Sequence, residues 1–81
     1  MPLIGKTKAK ILRELNRQSL HGYELARRAS IPVTGIYQHL RELEKDEITS
    51  SKKVGRRRVY SLTEKGRKLL EVVEYKNQGR K

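Results

Sequence analysis

Apolar positions along this chain follow a helical period in four stretches and lose it in one. Ile11, Leu12 and Leu15, with Lys8 and Ala9 at the edge, line one side of a helix predicted from Thr7 to Gln18. Tyr23, Leu25, Ala26 and Ala29 include the spacings i, i+3 and i+4, so they are expected to form the buried side of a second helix from Gly22 to about Ser30. Pro32 disfavours helical geometry at Ile31 and forces a break. A third helix starts near Val33 or Thr34 and ends near Asp46, with Ile36, Tyr37, Leu40 and Leu43 inward and Val33 just above them. From Ile48 onward polar and β-branched residues dominate around a central glycine. They predict strands at Ile48 to Val54 and Arg58 to Leu62, joined at Gly55, which can adopt the positive φ of a tight hairpin turn. Thr63 suits the N-cap of a fourth helix, and Glu64 favours its dipole. Leu69, Leu70, Val72 and Val73 give that helix a broad apolar face ending near Tyr75. Leu69 and Val73 are expected to cover the core, leaving Leu70 and Val72 to look outward, while Gly66 permits close packing. Residues 1–5 read as a flexible arm, 76–81 as a frayed basic tail, and 1–81 as a single domain.

The wet side of the third helix follows from a step of about 100° per residue. If Ile36, Leu40 and Leu43 point into the core, Thr34, Gln38, Arg41, Glu42 and Lys45 point away from it. Gln and Arg can form paired hydrogen bonds to base edges, and Thr offers a hydroxyl and a methyl. A short helix, a tight turn and a second helix with such a face is the helix-turn-helix plan, in which the second helix enters the major groove of DNA. Any surface helix can carry Gln, Arg and Lys on its wet side, so the face alone does not establish the function.

Charge adds weight to it. The 81 residues hold 20 Lys and Arg against 9 Asp and Glu, a formal net charge of +11. Such an excess attracts polyanions, of which nucleic acid is the most abundant in a cell. Lys52, Lys53, Arg56, Arg57 and Arg58 crowd the hairpin, where they could lie against a phosphate backbone and release counterions, or could simply keep the hairpin solvated. The chain has no Cys, which excludes disulfides and thiolate metal sites, and its two His are too few for a structural metal centre. No cofactor is expected. No apolar run approaches the roughly 18 residues of a membrane span, no helix has the Trp, Phe and Leu face of an interfacial anchor, and the N-terminus lacks a secretory core. The expectation is a cytoplasmic, nucleoid-associated protein without a membrane partner. Enzymatic chemistry is disfavoured because His and carboxylates do not pair at a plausible spacing and no glycine-rich phosphate loop is present. Glu14, Glu24, Glu42 and Glu44 read as ordinary helix-surface partners for nearby Lys and Arg.

The segments HGYEL at 21–25, GIY at 35–37 and YSLTEKG at 60–66 resemble those of PadR-type winged-helix transcriptional regulators, and the likeness covers about residues 10 to 75. The last segment also resembles MarR- and ArsR-type relatives. The resemblance implies an α+β, mostly α fold: a winged helix-turn-helix with a three-helix core, a two-stranded basic wing and a C-terminal helix. It also places a short strand at Ser19 to His21, in a link where Leu20 by itself reads as a single apolar anchor and His21 as a cap or surface residue. It implies a dimeric repressor with the third helix in the major groove and the hairpin on the flanking backbone. Tyr37 matches a family tyrosine that can reach phosphate as well as pack. The family often has proline where this chain has Gln38, so no inherited operator sequence is implied. Larger relatives carry a long C-terminal helical domain, and without one no small-molecule effector is evident.

The expected function is sequence-specific binding of double-stranded DNA in transcription regulation, by a homodimer. Thr34, Gly35, Tyr37, Gln38, Arg41 and Lys45 form the candidate recognition-helix site, and Lys52, Lys53, Arg56, Arg57 and Arg58 the candidate wing site. Ile4, Leu69, Leu70, Val72 and Val73 are the candidate dimer contacts. The alternatives are a weakly specific architectural DNA-binding protein of the chromatin type, which the net charge favours, and a protein-interaction module, which leaves the arginine-rich wing without a duplex to hold.

Overall fold

The computed structural model describes residues 4–78. Seven elements follow one another: α1 (Lys6–Arg17), β1 (Leu20–His21), α2 (Gly22–Ala29), α3 (Val33–Lys45), β2 (Thr49–Val54), β3 (Arg57–Leu62) and α4 (Glu64–Gln78). All seven were expected. Their boundaries fall within one or two residues of expectation except at the end of α4, which continues past Tyr75 through Gln78. Part of the expected frayed tail is therefore helical, and Gly79 is the first strong helix breaker in that stretch. Residues 1–3 of the arm and 79–81 of the tail lie outside the described residues.

The strands form one antiparallel sheet in the order β1-β3-β2. Leu20 faces Tyr60 across β1 and β3, and Thr49 to Val54 run in unbroken register against Leu62 to Arg57. Ile11 and Leu12 of α1, Leu25 of α2, and Ile36, Leu40 and Leu43 of α3 are fully buried. Leu20, Ile31, Ile48, Tyr60, Leu62 and Leu70 close this core from the sheet, the turns and α4.

Four residues depart from the expected faces. Tyr23 is 58% exposed, because the buried arc of α2 centres on Gly22, Leu25, Ala26 and Ala29 and Tyr23 stands roughly 100° away from it. Tyr37 stays substantially exposed at the edge of α3 for the same reason, and Val33, though on the inner side, stays exposed as the first residue of the helix. On α4 the correction runs the other way: Leu70 is only 6% exposed and belongs to the core, while Leu69 is half-buried. Gly66 faces inward there and turns the buried arc towards the residue four positions on.

Both helices of the turn end on non-glycine residues in the left-handed region, Ser30 at φ 57° and Glu47 at φ 62°. In each case the next residue's N–H reaches back five residues along the chain: Ile31 to the Ala26 carbonyl and Ile48 to the Leu43 carbonyl, both at 2.9 Å. The next side chain, Ile31 or Ile48, is buried. This is the Schellman ending, in which an apolar residue just past the helix holds the reversed turn in place. A left-handed β-carbon-bearing residue costs about 1–2 kcal/mol, so burial of the two isoleucines offsets that cost.

At the start of α4, Thr63 Oγ1 accepts from the Gly66 N–H at 2.9 Å, as expected of an N-cap. The same hydroxyl lies 2.7 Å from the Glu47 carbonyl and 2.9 Å from the Ile48 carbonyl, and donates its one proton to that pair. The Ile48 carbonyl also accepts from the Thr63 N–H at 3.1 Å. A Cβ on Gly66 would collide with the Ile48 carbonyl oxygen, so the close packing read from the sequence is a contact between α4 and the end of α3. Thr63→Ala should cost about 1–2 kcal/mol in urea unfolding, and Thr63→Ser a small fraction of that, because serine keeps the hydroxyl. Equal losses for the two variants would remove the hydroxyl from the account.

Candidate nucleic-acid interface

The wet face of α3 is as the helical step predicts: Thr34, Gln38, Arg41, Glu42 and Lys45 are all exposed. Gly35 sits half-buried in the first turn of α3, with no neighbouring atom within 4 Å of where its Cβ would be. Tyr37 leans off the core side against the start of α2, where a Cβ at Gly22 would come within 2.5 Å of its ring. Glycine at 22 thus lets the Tyr37 ring lie on the α2 backbone.

The wing is a two-residue hairpin in which Val54 pairs with Arg57 around Gly55 and Arg56. Gly55 has φ +65°, at the first of the two turn positions, where type II′ turns take glycine. Lys52, Lys53, Arg56, Arg57 and Arg58 are all exposed. Lys53 stands directly opposite Arg58, a pairing of like charges. Arg58 donates to Ser51 Oγ at 3.2 Å, and that hydroxyl donates to Glu44 Oε2 at 2.7 Å. Glu44 therefore serves the wing through a serine rather than pairing with a helix neighbour, and the chain of bonds ties β3 and β2 to α3.

One open cleft of about 290 Å³ brings these parts together, lined by His21, Gly22, Tyr23, Tyr37 and Arg56 to Arg58. Arg57 Nη1 lies 3.5 Å from His21 Nε2 at its rim. The lining holds three guanidinium groups, an imidazole and two phenols, and no carboxylate. Sequence reading placed Tyr37 and the arginines in the site but missed His21 and Tyr23, the first read as a cap or surface residue and the second as core. The short α2 gave a signal in hindsight: eight residues cannot bury both Tyr23 and the Leu25–Ala29 arc.

Three acidic groups elsewhere pair with helix-borne cations. Glu24 pairs with Arg27 at 3.0 Å and Arg28 at 2.8 Å, and the hydrogen bonds from these guanidiniums, Arg27 first, lower its pKa. Glu74 meets Arg13 at 2.6 Å across α4 and α1. Glu42 meets Lys8 of α1 at 2.7 Å, and hydrogen bonding from Lys8 and then Gln38 lowers the Glu42 pKa. Among the described residues no group of three or more His, Asp or Glu could hold a metal ion, and no helix is long and apolar enough to cross a membrane.

The transcriptional regulator PadR-like family matches residues 11–72. No curated protein sequence matches the chain. Among solved structures, YusO from Bacillus subtilis superposes with a TM-score of 0.88 at 20% identity, over 94% of this chain and 57% of that one. NadR in complex with 4-hydroxyphenylacetate gives 0.86 at 28% identity, over 95% and 57%. A mutant of Lactococcus lactis ZitR in complex with DNA gives 0.78 at 22% identity, again over 95% and 57%. The chain thus spans less than two thirds of the length of these neighbours. The family is one of transcriptional regulators rather than enzymes.

The facing pair Lys53 and Arg58 carries its own consequence. Lys53→Thr should raise stability at low salt by about 0.2–1 kcal/mol by removing a directly opposed like charge. The gain should shrink as salt is added and the Debye length falls. Thermal unfolding at two salt concentrations reads this directly, and a gain that does not change with salt would exclude charge as its cause.

Proposed function

The chain belongs to the transcriptional regulator PadR-like family, and on that premise we propose that it is a sequence-specific double-stranded DNA-binding repressor acting as a homodimer. The observation that supports the reading is one carboxylate-free cleft in which Tyr37 of α3 meets Arg56, Arg57 and Arg58 of the wing, with Thr34, Gln38 and Arg41 exposed on the same helix. Thr34, Gln38 and Arg41 contact base edges in the major groove, and Lys45 reaches phosphate. Gly35 keeps the first turn of α3 open to close approach, and Tyr37 reaches a phosphate from the cleft. Lys52, Lys53, Arg56, Arg57 and Arg58 hold the flanking backbone or the adjacent minor groove. Phosphate contacts position the protein, and base contacts discriminate between sequences. Occupation of promoter DNA excludes polymerase, which makes repression the expected outcome.

Dimerisation uses α1, α4 and the segment before α1. Val72 and Tyr75 are exposed apolar residues on α4, Val73 is half-buried, and the partly buried Ile4 and Leu69 lie beside the core. Leu70 is committed to the core of its own chain and makes no dimer contact. Two copies present two recognition helices to half-sites about one helical turn apart. The net charge also supports a weakly specific architectural role, and the two readings separate on sequence preference. Selection of genome fragments at about 150 mM salt, where screening acts over about 8 Å, should enrich an inverted repeat. Enrichment without a motif would favour the architectural role.

Gln38→Ala and Arg41→Ala should each cost about 1–3 kcal/mol on the preferred duplex and relax one base preference, whereas Arg57→Ala should weaken all duplexes alike. With about 8 phosphate contacts per dimer, log affinity should fall against log salt with a slope near −7. Equal losses on every duplex for all three variants would overturn this division of labour. Val72→Glu should shift sedimentation from dimer to monomer while leaving the helical content unchanged, and an unchanged dimer would place the interface elsewhere.

A further inference from the structure

Glu42 is the one carboxylate on the exposed face of α3, the face read above as the base reader. Unpaired, it would repel phosphate. Both of its oxygens are engaged. Oε1 lies 2.7 Å from Lys8 Nζ, and Oε2 accepts from Gln38 Nε2 at 3.5 Å. Lys8 belongs to α1, and its side chain is largely covered as it crosses to α3, where Nζ also donates to His39 Nδ1 at 3.1 Å. A half-buried ammonium with two fixed acceptors holds the carboxylate in one place. The ionised carboxylate then holds the amide, because it offers no proton and only the NH₂ end of Gln38 can face it. The opposite amide orientation would set a carbonyl oxygen against a carboxylate oxygen.

We propose that Lys8 and Glu42 are positioning residues that fix the orientation of the Gln38 amide, so that Gln38 selects adenine at one position of each half-site. This inference rests on the reading of α3 as the recognition helix. With one Nε2 proton held by Glu42, the other Nε2 proton and Oε1 remain as an adjacent donor and acceptor, the pattern that matches N7 and the N6 amino group of adenine. An amide free to turn can swing its carbonyl away and donate from Nε2 alone to guanine, whose N7 and O6 are both acceptors. Selectivity at this base pair therefore originates partly in α1, outside the helix that makes the contact. Glu42 could instead read cytosine by accepting from its N4 amino group. That role predicts a different altered position and is separable by experiment.

The test is selection from a randomised duplex library by the full chain and by its Gln38→Ala, Glu42→Gln and Lys8→Met variants, each position scored relative to the others. Gln38→Ala should abolish an adenine preference of about 5- to 150-fold at one position, the range expected of a good bidentate pair. Glu42→Gln and Lys8→Met should reduce the preference at that same position and leave the remaining positions unchanged. Adding Glu42→Gln to Gln38→Ala should produce no further loss there, since coupled residues are not additive. A uniform loss of affinity at all positions would reveal only a loss of stability or a change of charge, and would overturn the proposal. So would a Glu42→Gln effect confined to a different, cytosine-preferring position. If the wild-type chain selects no motif, the recognition-helix reading fails and this inference fails with it. If Gln38→Ala alters a position that Glu42→Gln and Lys8→Met leave intact, only this inference fails.

Discussion

The Ile48 junction sets the geometry of the whole interface. Its N–H closes the end of α3 on the Leu43 carbonyl, its side chain is buried, and its carbonyl accepts from the backbone of Thr63 at the start of α4. One residue thus joins the end of the exposed helix, the start of the wing and the N-terminus of the last helix. A glycine at 66 is required because α4 comes down directly onto that carbonyl. If this junction moved, the angle between α3 and the hairpin would move with it, and the cleft between them would open or close. The Glu44–Ser51–Arg58 chain of hydrogen bonds adds a second tie between the same elements.

Charge is distributed to the same end. A small domain with a net charge of +11 has few acids to place. Glu24, Glu42 and Glu74 neutralise cations on α2 and α1, two of these pairs joining separate helices. Among the described residues no ion pair involves the hairpin cations, whose hydrogen bonds go to Ser51 and His21. Exposed ion pairs contribute little individually, so their main effect here is to decide where positive potential is left uncancelled. Among the described residues the uncancelled cations include those of the wing and cleft and, on α3, Arg41 and Lys45.

Much of this was legible in the chain. The period of Ile36, Leu40 and Leu43 oriented α3 and therefore its exposed residues, and Gly55 between two polar, β-branched runs located the hairpin turn. Thr63 announced the start of α4. The legible features are local: a turn, a cap or a 3.6-residue period depends on residues within a few positions of each other. Leu20 was correctly read as an anchor because it is the single apolar residue in a polar link. The likeness to regulators of known fold added the short strand, for which two residues offer no periodicity.

The rest belongs to tertiary structure. A helical period defines the centre of a buried face, but residues at its edge are covered or not according to what packs beside them. Tyr23 was assigned to the core, and Tyr37 to both the inner face and the site, yet both line the cleft, because α2 approaches α3 through Gly22 and leaves both rings outside. Leu70 was assigned to the surface, yet it is core, because Gly66 turns α4 onto the Ile48 carbonyl. Ser30 and Glu47 gave no local sign of a left-handed ending. Their conformation is held by the burial of Ile31 and Ile48, which is a property of the assembled core. The Lys8–Glu42 contact joins residues 34 positions apart on two helices, and neither residue type predicts the other. The sequence by itself determined which elements form and where charge accumulates, since both follow from local spacing and composition. Only the packed structure decided which borderline side chains reach solvent and which distant charges meet, because those outcomes depend on the angle and distance between elements.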